Sequence, residues 1–411
     1  MADLLFLAHR IPYPPDRGDK IRSWHMLRHL GSLGRVHLAC FADDAQDAAA
    51  LPALRAAMGA RLGEAHVELR GGNRLAAALA LAQGAPLSLA LFRSSNMRSF
   101  VDRLLASHDV ATIFAFSSQM AQFVPDPPAE GRRFVMDFVD MDSAKFADYG
   151  AQHRGPLAWL YRREARTLLE HERATAARAD TSLFVSEAEA ALFSARAGAG
   201  PRDIRAVGNG VDLGYYDPAG DFPRLEPAVR GAGPLIVFIG QMDYRPNIEA
   251  VTSFATAVMP LIRRKLANAR FAIVGRKPDA AVRRLDGRHG TFVTGAVTDV
   301  RRWLAAADVV VAPLGIARGI QNKVLEAMAM GRPIIASPAA FLGIDAEPGR
   351  DLLVAEDAKA QASAAVELLR DRARAEALGA AARRRIEQGY QWERMLAPLD
   401  RIVMPPTQAA A

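Results

Sequence analysis

Cysteine is nearly missing from this 411-residue sequence: Cys40 stands alone, which excludes an intramolecular disulfide and fits a reducing compartment. With nine scattered His and that single Cys, no cluster has structural-zinc spacing. Long apolar runs are missing too. The longest, Leu75–Ala82 and Leu87–Phe92, are parted by Gln-Gly-Ala-Pro and fall far short of the ~20 residues a membrane-spanning helix needs. The N-terminal MADLLFLAHRIPYPP has a short apolar run with no basic region ahead of it, so a strand is expected there and not a signal peptide. Three phosphate or nucleophile motifs are absent: G-x-G-x-x-G, G-x-x-x-x-G-K-[ST] and G-x-S-x-G. Dinucleotide oxidoreductases, P-loop NTPases and nucleophile-elbow hydrolases thereby lose their loops.

What is present is an ordinary globular balance, half hydrophobic and 24% charged, in a chain long enough for two cores. The net charge of +7 admits nucleic acid, an anionic membrane surface or phosphorylated substrates as partners. No basic run interleaved with aromatics and no nucleic-acid-binding signature occurs, so nucleic acid ranks lowest. A generally solvated basic surface is the plain alternative.

The stretch Val309 to Ser337 reads as strand, polar loop, helix and strand in under thirty residues. Its loop LGIARGIQ falls at the carboxyl end of a strand and the start of a helix, where N–H groups and the helix dipole attract anions. Arg318 and Lys323 add positive charge, and Glu326 supplies an acceptor for hydroxyls. A diphosphate flanked by a sugar diol suits this arrangement. LIVFIG, RFAIVG and GTFVTG are strands ending in Gly240, Gly275 and Gly295, the pattern of a parallel sheet whose carboxyl edge takes a ligand.

In the first half, LLFLAH, RVHLACF, VATIFAFS, RRFVMDFVD and TSLFVS read as strands, and residues 43–108 as Ala-rich helices with Gly breaks. Asp137, Asp140 and Asp142 fall at or just past a strand end. Strand alternation would point Asp140 and Asp142 the same way. An acceptor-site role, helix capping and a metal site all remain open for them. The helix expected from Pro156 to Asp180 carries five arginines, either as a solvated face or as a membrane contact. The Gly- and Pro-punctuated stretch AGAGPRDIRAVGNGVDLGYYDPAGDFP marks a domain boundary. Near the C-terminus, Trp392, Met395, Leu396 and Leu399 form one helical stripe.

KVLEAMAMGRPIIAS followed by Gly343 resembles the donor-binding signature of the retaining glycosyltransferases of family 4. PYPPDRGDKIRSW, MDFVDMDS, FIGQMDYRPN and ARGIQNKVLEAMA more narrowly resemble the sugar transferases associated with bacterial exopolysaccharide and exosortase systems. The resemblance implies an α/β protein of GT-B architecture: two Rossmann-like parallel-sheet domains facing across a cleft, with a C-terminal helix crossing back to the first. The expected division is 1–203 on the acceptor side, 204–385 for the nucleotide-sugar, and 386–411 for the crossover helix and tail. Glu326 would hold the nucleotide ribose. Gly18, Gly240, Arg245, Gly275, Gly295, Val297 and Gly319 would line the donor, the backbone from Gly295 to Val297 against the base. Where many members have a Glu eight residues before Glu326, this chain has Arg318, and Gln241 stands where they have a cation. Arg318 and Lys323, with Asp140 and Asp142, are then the candidate catalytic residues.

The activity implied is retaining, metal-independent transfer of a hexose from a nucleotide-sugar to a saccharide or lipid-linked acceptor, with no cofactor. A cytoplasmic site is implied as well, with peripheral contact at the inner face of the cytoplasmic membrane left open. A nucleotide-sugar epimerase of the same fold and a non-catalytic partner-binding subunit are the alternatives.

Overall fold

The computed structural model describes residues 3–71, 74–198, 200, 203–317 and 319–404, with nothing said of the side chains of 74, 75 and 77. The chain forms two compact units, Met1–Gly208 with Leu396–Ala411, and Asn209–Met395. The first unit contains β1 (Asp3–Ala8), β2 (Val36–Ala42), β3 (Leu62–Leu69), β4 (Val110–Phe116), β5 (Arg133–Val139), β6 (Thr181–Phe184) and β7 (Ile204–Ala206). They form one parallel sheet in the order β3-β2-β1-β4-β5-β6-β7. The second contains β8 (Leu235–Ile239), β9 (Arg270–Val274), β10 (Thr291–Gly295), β11 (Val309–Ala312), β12 (Ile334–Ala336) and β13 (Leu353–Val354), also parallel, in the order β10-β9-β8-β11-β12-β13. These are two Rossmann-like domains.

Sequence and sheet agree for a simple reason. Strands covered by helices on both faces bury every side chain, so LIVFI of β8 and VVVA of β11 are fully buried, unbroken apolar runs. Each sheet reverses its winding once, at β1/β4 and at β8/β11. The loops leaving those four strands at their carboxyl ends diverge there and leave a crevice for a ligand.

Several elements differ from expectation. Residues 43–108 contain β3, an edge strand whose half-exposed LGEAHVEL gives none of the continuous apolar signal of a central strand. Ile204–Ala206, placed at the start of the second domain by the sequence reading, hydrogen-bonds to β6 and completes the first sheet, so the chain passes to the second unit after Gly208. The C-terminal stripe is divided between two short helices, Trp392–Leu396 and Leu399–Val403, because Pro398 has no N–H to continue the first. The chain does return to the first unit. Thr112 Oγ1 on β4 donates to the Val403 carbonyl at 2.7 Å, and Arg133 Nη1 to that of Met404 at 2.9 Å.

Candidate functional site

In the second unit the site is assembled around the β8/β11 crevice. Gly240, Gly275 and Gly295 end adjacent strands, and the Gly240 N–H donates to the Val274 carbonyl at 3.0 Å. Gly275 has a φ of 159°, and a Cβ there would lie 1.6 Å from the Gly240 carbonyl oxygen, so only glycine lets the two strand ends close up. Gly319 and Gly295 have positive φ, and Val297 packs half-buried against the core.

From β11 the chain enters the helix Asn322–Ala329, whose N-cap, Gln321, makes no side-chain capping bond. Lys323 is the second residue of this helix. Its Nζ donates to Asn247 Oδ1 at 2.7 Å and lies 5.0 Å from the centre of the Phe238 ring. Asn247 is buried and its amide donates in turn to the Gln241 carbonyl at 2.8 Å, so the loop after β8 and the helix after β11 are clamped by one asparagine. Asn209 Nδ2 ties Asn322 Oδ1 into the same helix start at 2.9 Å.

One turn on, Glu326 accepts a hydrogen bond from the Tyr216 hydroxyl. Lys323 and Glu326 keep a partly exposed edge, yet the protein closes round them enough to disfavour both charges. Burial pushes the Glu326 carboxyl up to about 7, opposed by Tyr216 and Lys323, and pushes the Lys323 ammonium down to about 8, opposed by Glu326. Both charges therefore coexist best between those values, and a ligand that needs both should bind best there. Affinity for a nucleoside diphosphate should fall as pH drops through about 7 and again as it rises through about 8. Glu326→Gln should abolish the acid limb and cost about 1.5–3 kcal/mol at the optimum, the range for hydrogen bonds to a charged group. Calorimetry across pH 6–9 on both proteins measures this, and a flat profile for the wild type would refute it.

Arg245 begins the helix Arg245–Ser253 and is exposed, its Nε donating to Glu249 Oε1 at 2.7 Å. Arg318 lies outside the described residues.

The first unit holds the other candidates at the carboxyl ends of β1, β4 and β5. The three aspartates do not form a set. Asp137 is fully buried on β5 and takes both its oxygens to Arg22, Nε at 3.0 Å and Nη2 at 3.3 Å, with the Val139 N–H as a third donor. Val139 then adopts a φ of 68°, rare for a β-branched residue, and Ser117 at the neighbouring end of β4 has 75°. The strand therefore stops before Asp140, and alternation does not govern the residues beyond it. Asp142 opens the helix Asp142–Gln152 and bonds Gln119 Nε2 at 3.3 Å and Lys145 Nζ at 3.4 Å. Asp140 Oδ1 is buried without a hydrogen-bond partner among the described residues, and burial, reinforced by Glu189, pushes this carboxyl up to about 7. Burial likewise raises Glu172 to about 8, although Ser143 donates to it through its N–H and hydroxyl. The result is a pair of buried carboxyls that can hold a proton near neutrality.

Gly18 is the first residue of the helix Gly18–Leu33, in the same unit. Its neighbours are paired: Arg17 with Asp43 at 2.7 Å, and Lys20 with Asp47 at 2.7 Å. Burial works to raise the Asp19 carboxyl, but His9, Arg10 and Arg17 hold it well below the usual range.

Among the described residues, one group converges as metal ligands would: Asp3, His37 and His108, at the opposite edge of the sheet. His37 Nδ1 accepts from the Glu64 N–H at 3.0 Å, so its proton sits on Nε2, which faces Asp3 Oδ2 at 3.0 Å. A metal on Nε2 would need the opposite tautomer. The group is a hydrogen-bonded pair with the His108 ring edge-on to that of His37.

Residues 233–371, which carry the clamped lysine and Glu326, match the model of the family described as glycosyl transferases group 1. The chain is 26% identical over 324 residues to the GDP-mannose-dependent alpha-(1-6)-phosphatidylinositol monomannoside mannosyltransferase of Mycobacterium tuberculosis, covering 72% of this chain and 76% of that one. It is a glycosyltransferase. Solved structures similar to this glycosyltransferase include the sucrose-phosphate synthase (tll1590) of Thermosynechococcus elongatus, with a TM-score of 0.70 at 18% identity over 98% of each chain. Another is Anabaena Alr3699/HepE in complex with UDP and glucose, with a TM-score of 0.68 at 14% identity over 98% of this chain and 99% of that one. Both likenesses are of fold, and the fold is GT-B. Asn247 and Tyr216, which hold the glycosyltransferase's lysine and glutamate, were not singled out by the sequence. The only signal for Asn247 was its place in FIGQMDYRPN, and for Tyr216 there was none.

Proposed function

We propose that this glycosyltransferase is a retaining enzyme of family 4. It transfers a hexose from a nucleotide-sugar to a saccharide or lipid-linked acceptor, in exopolysaccharide or other cell-surface glycan synthesis at the inner face of the cytoplasmic membrane. The observation that carries the reading is the Lys323–Asn247 clamp at a helix N-terminus, one turn from Glu326, in the crevice where the second sheet reverses. A diphosphate at the helix start would meet the dipole and the ammonium, and the Glu326 carboxylate would accept from ribose hydroxyls.

In this reading the acceptor oxygen attacks the anomeric carbon from the face the phosphate leaves. The bond from carbon to phosphate oxygen breaks, the glycosidic bond forms, and the acceptor proton passes to the departing phosphate. Lys323 and the helix N–H groups stabilise the charge growing on that phosphate, which needs no metal. Arg318 is a second cation in this scheme. Asp140, whose Oδ1 has no partner among the described residues, orients the acceptor hydroxyl, and Asp142 bonds Gln119 and Lys145.

The mannosyltransferase relative makes GDP-mannose the first donor to try, with UDP-glucose beside it. A thermal-shift screen of UDP-, GDP-, ADP- and dTDP-sugars should single out one nucleotide, since a ligand at about 100 times its dissociation constant adds roughly 2.7 kcal/mol. Turnover with that donor and a glycan acceptor should survive excess EDTA. Loss of turnover restored by Mg²⁺ or Mn²⁺ would overturn metal independence. Conversion of the donor to its epimer without acceptor would point to an epimerase, and donor binding without any turnover to a partner-binding subunit.

A further inference from the structure

Of the large apolar side chains exposed among the described residues, six lie in one part of the first unit: Leu69, Leu79, Leu81, Leu91, Leu157 and Trp159. Trp159 is 62% exposed. Two pieces of chain bring them together. The helix Gly155–Arg178 carries Leu157 and Trp159 in its first turns, and the helices Arg74–Ala82 and Leu87–Ala90 carry Leu79 and Leu81 and lead to Leu91. Arg163 Nη2 donates to the Ala80 and Ala85 carbonyls at 2.9 and 3.0 Å, and Glu164 accepts from the Leu87 and Ser88 N–H groups at 2.9 and 2.8 Å. The exposed leucines are thus pinned one to two turns from Trp159.

The two stretches that carry them are free of carboxylates up to Glu164, with Glu68 and Asp148 just outside. From Leu69 to Val101 the sequence has no Asp or Glu and four arginines, and from Tyr149 to Arg163 no Asp or Glu and three arginines. Glu164, where carboxylates resume, is buried and occupied by the bonds just named. Trp159, Arg162 and Arg166 are all exposed and share one helix face at i, i+3 and i+7. The patch lies just after β3 and the helix Asp142–Gln152, which leave their sheet at its carboxyl edge, as Asp140 does.

We propose that this patch docks the enzyme on an anionic lipid surface, with Trp159 entering the headgroup region and Arg162 and Arg166, on the same helix face, meeting lipid phosphates. Exposed tryptophan and leucine beside arginines, with no carboxylate among them, is the chemistry of an interfacial helix. A protein partner of ordinary surface charge would not call for two acid-free stretches. The inference extends the reading of a lipid-linked acceptor at the membrane face.

The sequence provides its own probe. Of four tryptophans, Trp24, Trp303 and Trp392 are buried, so only Trp159 can change its solvent. Adding phosphatidylcholine vesicles with about one third phosphatidylglycerol to the full-length protein, without donor, should shift the tryptophan emission to the blue, and neutral vesicles should not. Trp159→Ser should lower sedimentation with anionic vesicles about tenfold. Arg162→Glu should lower it about fivefold and weaken the wild-type salt dependence. Calorimetric binding of the nucleoside diphosphate should stay unchanged in all variants, which separates failure here from failure of the transferase reading. No emission shift, equal binding to neutral vesicles, or wild-type sedimentation by the serine variant would each overturn the proposal. So would a vesicle-independent dimer that the serine variant dissociates, since the patch would then be a self-interface.

Discussion

Lys323→Met should lower kcat by about 10²–10³ while leaving the melting temperature nearly unchanged. Methionine keeps the alkyl stem against Phe238 and removes only the charge that Asn247 holds at the helix start. That charge matters most as the phosphate departs, because negative charge accumulates there and water is largely displaced by protein. Lys323→Arg should rescue poorly, since a planar fork cannot replace a single ammonium placed 2.7 Å from Asn247 Oδ1. Asn247→Ala should give a smaller loss, as it frees the ammonium without deleting it. Steady-state kinetics with the cognate donor decide the matter, and a kcat for Lys323→Met within about threefold of wild type would sink this account of the leaving-group charge.

The second large effect is on stability. Arg22 and Asp137 are 1% and 0% exposed, and each is the other's hydrogen-bonding counter-ion. Burial drives the Asp137 carboxyl up and Arg22 draws it back, so removing Arg22 leaves a buried carboxyl without its counter-ion, with only the Val139 N–H to oppose burial. Arg22→Ala should cost about 3–5 kcal/mol. For a unit of this size that lowers its melting temperature by roughly 6–20 °C, at about 2–4 °C per kcal/mol. Arg22→Met with Asp137→Leu should recover at least half of the loss, because an apolar pair of similar volume leaves no orphaned charge. Differential scanning calorimetry on the three variants checks both points; equal melting of Arg22→Ala and wild type would show that the pair contributes nothing. The pair also fixes the end of β5, where Val139 takes its unusual conformation and Asp140 leaves the strand.

The strand-loop-helix unit that carries Lys323 and Glu326 was legible because its information is local. A β-branched run, a polar loop and a helix start lie within thirty residues, and the positions of Lys323 and Glu326 on that helix come from its period. The aspartates of the first unit were legible only as a cluster in sequence. Nothing local separates Asp137, whose partner is 115 residues away, from Asp140, which has an oxygen with none among the described residues, or predicts that Val139 bends the chain between them. The edge strand β3 escaped for a related reason: its pairing with β2 makes it a strand, while its own half-exposed side chains say little.

By itself the sequence determined the alternation of strands and helices, the two-sheet α/β class and the helix start that carries Lys323. Burial on both faces of a parallel strand writes an unbroken apolar run into the chain, and helix starts declare themselves within a turn. Tertiary structure alone decided which residue beyond β8 holds Lys323, that Tyr216 meets Glu326, that Arg22 claims Asp137, and that burial pushes the Asp140 carboxyl, just past the end of β5, up to about 7. Sheet order brings those groups together over tens to hundreds of residues, and the desolvation that shifts their protonation depends on everything packed around them, which no single stretch of sequence contains.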